Sequence, residues 1–137
     1  MKDYDYQLKK DCGYLLPQTV FKQAVWAVKD LPRLKERYEQ LKSSAYVIGS
    51  HSMLLEAGIN SNLSDVTADN AIELVNISNR IKAIEDAIPN IPEKYREGVV
   101  LHLTNDVQYD ELYANIKTWR KWQQIFIYHC AVNLMLI

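Results

Sequence analysis

The residues of this 137-residue chain best suited to chemistry are Lys117, Thr118, Arg120, Lys121, Gln123 and Gln124, which open a C-terminal helical pattern. Their chemistry is the recognition of a polyanion. Lys neutralises phosphate, Arg and Gln match the paired acceptors and donors of guanine and adenine edges, and a Thr hydroxyl or the amides of a helix N-terminus bind phosphate oxygen. On helical spacing Lys117, Arg120, Lys121 and Gln124 fall away from the stripe Trp119, Trp122, Phe126, Cys130 and Leu134. One face is then free to read while the other packs, and both Trp residues are assigned to packing, not to base stacking.

Other reactive residues do not assemble into catalytic or metal sets. His129 and Cys130 are helical neighbours and point about 100° apart, so they do not share a metal. Ser50-His51-Ser52 lacks an orienting carboxylate, His102 sits among Val99 and Leu103 as a core or boundary residue, and no Gly-rich phosphate loop occurs. Cys12 and Cys130 are too few and too far apart for a disulfide framework or a zinc site. The expectation is a non-enzymatic protein without a cofactor.

The elements that must position the basic turn are helical. Pro17 to about Val47 reads as one kinked helix or as two, depending on whether Pro32 interrupts or starts a helix. Leu31, Leu34, Tyr38, Leu41, Ala45 and Ile48 recur at three- and four-residue steps and must bury against another helix. Residues 49–67 carry Gly, Ser and Asn without sustained periodicity and read as a linker. Ser64-Asp65-Val66-Thr67 offers N-cap residues for a helix ending near Ile88, with Ala71, Leu74, Ile77 (or Val75), Ile81, Ile84 and Ile88 on its apolar face.

Pro92 then sits where a first helical residue belongs, and Tyr95, Val99, His102 and Leu103 form the inward face of the next helix. Residues 106–117 connect it, with room for one helical turn around Glu111 to Ala114, to a last helix capped at Thr118 and ending near Leu134. The fold class is therefore all-α: an N-terminal helix or helix pair (1–48), a linker (49–67), and a small C-terminal domain (68–137) of helix-turn-helix type.

The formal net charge of -1 conceals a gradient. Residues 1–47 hold nine Lys/Arg against six Asp/Glu, residues 48–89 two against six, and residues 90–137 five against five. In the last segment every acid lies at or before Glu111, which leaves the final helix locally basic. Met1 to Lys10 alternates charge and Tyr without an apolar core, and no run reaches the roughly 18 apolar residues that span a bilayer, so the expectation is a cytoplasmic protein without a membrane partner.

In its order of parts the chain resembles the phage late-gene transcriptional regulators of the RinA and ArpU type, whose C-terminal part is similar to region four of bacterial sigma factors. The segments that carry the resemblance are Arg33-Leu34-Lys35-Glu36-Arg37-Tyr38 within Trp26 to Leu41, Ser64-Asp65-Val66-Thr67, the proline-marked stretch Ile88 to Arg96, and Lys117 to Gln124 in place of a recognition helix. The resemblance implies a phage or prophage DNA-binding regulator, with double-stranded DNA as ligand and RNA polymerase as a protein partner. Such a helix enters the major groove by its N-terminal residues while the preceding helix crosses the backbone.

One local feature motivates a second reading. Tyr109 to Lys117 has to supply both a helix end and a turn, and contains no Gly. The alternative is a helical protein–protein interaction or oligomerisation module, a homodimer among its forms, whose degenerate helix-turn-helix does not bind DNA.

Overall fold

The apolar steps of the sequence fold into helices along the chain. A computed structural model describes the backbone of residue 7, residues 13–54 and residues 61–137, and the side chains of residue 7, residues 13–43 and residues 68–137. The helices are α1 (Gln18–Lys29), α2 (Leu31–Leu54), α3 (Ser61–Glu85), a 3-10 turn (Ile88–Asn90), α4 (Glu93–Asn105) and α5 (Ile116–Asn133). No strand occurs among the described residues, and no helix among them is long and apolar enough to cross a membrane.

Pro32 acts as a helix starter. Its ring cannot donate to the carbonyl four residues back, so α1 ends at Lys29 with Asp30 as its cap, and α2 begins at Leu31 with Pro32 in the first turn, where no donor is needed. Downstream, helix occupies both ends of the expected linker: α2 continues through Gly49 to Leu54, and α3 begins at Ser61 and runs through Ser64 to Thr67 instead of starting there. An internal Gly lowers helix propensity by only about 1 kcal/mol, which a helix with a buried seam absorbs. The middle of the linker, 55–60, lies outside the described residues, as do the side chains of Ala45, Ile48 and Ser64 to Thr67.

Contacts divide the chain differently from the boundaries at 48 and 67. One unit is Pro32–Ile81, and the other is built from the flanking segments, up to Leu31 and from Lys82 onward. Within Pro32–Ile81, α2 and α3 meet along a single seam. Leu34, Leu41 and Ile77 are buried there, with Tyr38, Leu74 and Ile81 packed on them. These steps of three and four residues are those of a two-helix knobs-into-holes contact. Arg37 flanks the seam with an ion pair to Glu73 at 3.1 Å, and both side chains are partly solvated, so the pair contributes little.

The other unit is centred on α5, which packs against α1, α4 and the 3-10 turn, while α1 also packs on α4. Helix α1 contributes Phe21, Ala24, Val25 and Val28, the i, i+3, i+4, i+7 face of an amphipathic helix. Helix α4 contributes Val99, His102 and Leu103, the face expected from its sequence. Arg96 pins the proline-marked turn from below, its Nε donating to the Ile91 carbonyl at 2.7 Å. Pro92 is the residue before α4 and not its first residue, with an extended ψ of 141°.

The end of α5 gives a first prediction. Met135 has φ 59°, and its N–H donates to the Val132 carbonyl at 3.0 Å while Leu136 N–H reaches the Ala131 carbonyl at 2.9 Å. This is the Schellman arrangement, whose left-handed position favours Gly. Met135 is 87% exposed, so little packing offsets the strain. Met135→Gly is expected to raise stability by about 0.5–1 kcal/mol, read as a higher midpoint in urea; an unchanged or lower midpoint would refute it.

Candidate nucleic-acid interface

A helix that reads a groove needs one open face along its first turns, and the run Gln123-Gln124-Ile125-Phe126-Ile127 decides how much of α5 has one. All five of these residues are buried. At about 100° per residue, five consecutive positions go once round the helix, so α5 is enclosed on every side at that level. The turns before Gln123 retain an outward face, as do Val132 and Asn133 at the far end of α5.

The six candidate residues therefore separate. Lys117 and Lys121 are exposed and four residues apart, while Thr118 and Arg120 are half-buried. Gln123 and Gln124, expected on the reading face, are corrected to core residues at 1% and 2% exposure. Their amides have buried partners: the Tyr109 hydroxyl donates to Gln123 Oε1 at 2.5 Å, and Gln124 Nε2 donates to the Tyr14 carbonyl at 3.2 Å. A buried amide is tolerated when it is hydrogen-bonded in this way, and two such bonds tie the strap and the N-terminal segment to α5.

The cap of α5 is also corrected. Asn115, not Thr118, is the N-cap, its side-chain oxygen accepting from Lys117 N–H at 2.9 Å. Thr118 lies inside the first turn. Both types are good caps, but a cap residue must itself be extended, and Asn115 is, with ψ 143°.

Residues 106–115, between α4 and α5, form a strap and not the three- or four-residue turn of a helix-turn-helix. Asp106 opens it in the left-handed region at φ 55°, a conformation Asp tolerates, and its carboxylate pairs with Lys29 at 3.3 Å. Tyr109 stacks on His102 at 4.0 Å, and His102 Nδ1 lies 2.8 Å from the Val107 carbonyl. Asp110 then folds one turn as expected near Glu111 to Ala114: its side chain accepts from Leu112 N–H at 3.0 Å and its carbonyl from Ala114 N–H at 3.2 Å. Tyr113 finally reaches Tyr95, 6.0 Å between rings.

The strap thus returns the chain to the first turn of α4 before α5 starts. Tyr95 meets Trp119 edge-on at 5.1 Å and stacks on Trp122 at 6.2 Å, which sets the opening turns of α4 and α5 side by side. In a helix-turn-helix the second helix begins at the end of the first. Here Lys94 lies 5.1 Å over the Tyr95 ring and Lys121 lies 5.0 Å over Trp122, so the two ammonium groups border one aromatic platform. Trp119 is buried in the platform, as its place in the apolar stripe implies, and Trp122 is half-buried. Lys94 was not singled out in the sequence, because nothing local ties it to Lys121.

Burial raises the Cys130 thiol far above its ordinary range, which keeps it protonated and unreactive, and burial lowers the pKa of His129. Cys12 and the side chains of Ser50, His51 and Ser52 lie outside the described residues. Comparison of the chain with models of protein families, with curated proteins and with solved structures gave no match.

Proposed function

We propose that this chain is a non-enzymatic helical interaction module, which works by protein–protein contact and not by reading a DNA groove. The observation that supports this most is the enclosure of α5 at mid-length: five consecutive buried residues take Gln123 and Gln124 out of any reading face and confine it to the turns before them. The strap between α4 and α5 supports it further, since it replaces the turn that would present a recognition helix. On this reading the segments that resemble phage late-gene regulators retain a scaffold whose partner is a protein, a second copy of the chain or RNA polymerase. Light scattering at two concentrations, repeated with mixed-sequence DNA, tests it. The expected result is a mass above the 15.9 kDa monomer that rises with concentration and ignores DNA.

The second reading, a DNA-binding regulator, is favoured by a specific feature: Lys117 and Lys121 are exposed on the first turns of α5, and Lys121 and Lys94 border one aromatic platform. Contacts from such a patch would be to phosphate and would carry no sequence information by themselves. If this reading holds, the intact chain binds DNA at low salt, and Arg120→Ala with Lys121→Ala lowers the salt slope by about two. DNA binding with that slope change would displace the interaction reading.

A further inference from the structure

Helix α3 has two apolar stripes, and the α2 seam uses one. Leu74, Ile77 and Ile81 pack on α2. Ile72 lies nine residues before Ile81, about 180° round the helix, and Val75 lies about 200° from Ile77. Both are large and apolar, yet they are 61% and 56% exposed. Ala68 and Ala71, also exposed, extend the stripe at helical spacing, and Asn79 ends it. The stripe contains no charge, and its small residues allow another helix to approach closely.

We infer that this outer face of α3 is a self-association surface, on which α3 of a second copy of this chain lies antiparallel across a two-fold axis near Glu73 and Leu74. The inference rests on the interaction-module reading and names its partner. Three features select a second copy over an unrelated helix. First, an axis there sets Ile72 against Val75 of the other copy and Ala68 against its Asn79, so the stripe is its own complement. Second, the flanking charges are complementary under the same operation. Asp69 and Arg80 are exposed, lie on one flank of the stripe, and antiparallel pairing brings Asp69 of each copy within about a turn of Arg80 of the other, twice. Third, among the described residues Leu34, Leu41 and Ile77 are buried in the seam inside Pro32–Ile81, and pairs of helices gain a larger core by doubling into a four-helix bundle.

The 137-residue chain and four variants test this by light scattering over about a hundredfold range of concentration, with circular dichroism as the control for folding. Ile72 is exposed, so Ile72→Glu keeps the helical circular dichroism spectrum while weakening the dimer by about tenfold or more, and its melting midpoint no longer rises with concentration. Asp69→Arg alone and Arg80→Asp alone each face like charges across the axis and stay monomeric, whereas the double variant recovers the dimer. Mixed in equal amounts, the two single variants form a heterodimer, since one then carries only Arg and the other only Asp at these positions.

A dimer indifferent to Ile72→Glu and to both reversals overturns the α3 face and leaves the interaction reading intact. A wild-type chain that keeps its 15.9 kDa mass throughout also overturns the inference, and the interaction reading falls with it if that monomer forms a salt-dependent DNA complex.

Discussion

Trp119→Ala is expected to destabilise the unit built around α5 by about 3–5 kcal/mol, the range for truncating a buried aromatic whose cavity cannot collapse. The indole is held on every side. Tyr109 stacks on it at 5.0 Å with planes 8° apart, Tyr95 meets it edge-on at 5.1 Å, and its Nε1 donates to the Asp110 carbonyl at 3.0 Å. Removing it opens a void between α4 and α5, leaves one face of Tyr109 without its neighbour, and releases the strap at Asp110. The neighbours are themselves fixed, Tyr109 by Gln123 and His102, so they do not move in to fill the space. A urea titration followed by circular dichroism reads the loss as a lower midpoint at an unchanged slope. A loss under about 1 kcal/mol would mean that Trp119 is a peripheral ring and that the platform is assembled by something else. Trp122→Ala, which removes a half-buried ring, should cost clearly less.

The helices were legible because their cores are local patterns. Leu34, Tyr38 and Leu41 against Leu74, Ile77 and Ile81 follow the three- and four-residue steps that identify a buried stripe, and Val99, His102 and Leu103 do the same in α4. Pro32 marked a boundary whose nature, a kink or a start, depends on whether the helix before it ends, and that is decided at Asp30. The candidate site was less legible. Periodicity reports one apolar face and assumes that polar residues point to water. Gln123 and Gln124 break that assumption, since their partners are Tyr109 and Tyr14, 14 and 110 residues away in sequence. The dense run Ile125-Phe126-Ile127 directly after them was the available sign of a helix buried all round. The same non-locality hid the strap's course, because the stacking of Tyr109 on His102 and Trp119 and the edge contact of Tyr113 with Tyr95 turn a loop back along a helix.

Gly98 should show an effect whose sign depends on Trp119. In a helix interior Gly→Ala normally stabilises by up to about 1 kcal/mol, because Ala loses less backbone entropy and favours the helix. At Gly98 a Cβ would lie 2.7 Å from Trp119 Cζ3 and 2.8 Å from Cη2, closer than such atoms approach. These are rim atoms of the indole, and a mobile ring would swing aside. This ring is locked by its bond to Asp110 and by Tyr109, so the helix or the strap has to shift instead. Gly98→Ala is therefore expected to cost about 1–3 kcal/mol in the wild-type chain, the usual range for overpacking. In the Trp119→Ala background the obstacle is gone, and the same substitution should become neutral or stabilising by up to about 1 kcal/mol. The coupling in the double-mutant cycle is then about 1–4 kcal/mol, well above the few tenths that separated residues show. If Gly98→Ala stabilises both backgrounds equally, α4 and α5 do not close on each other through Gly98 and Trp119. In that case the two helix openings are not clamped together, and Lys94 and Lys121 do not border one platform.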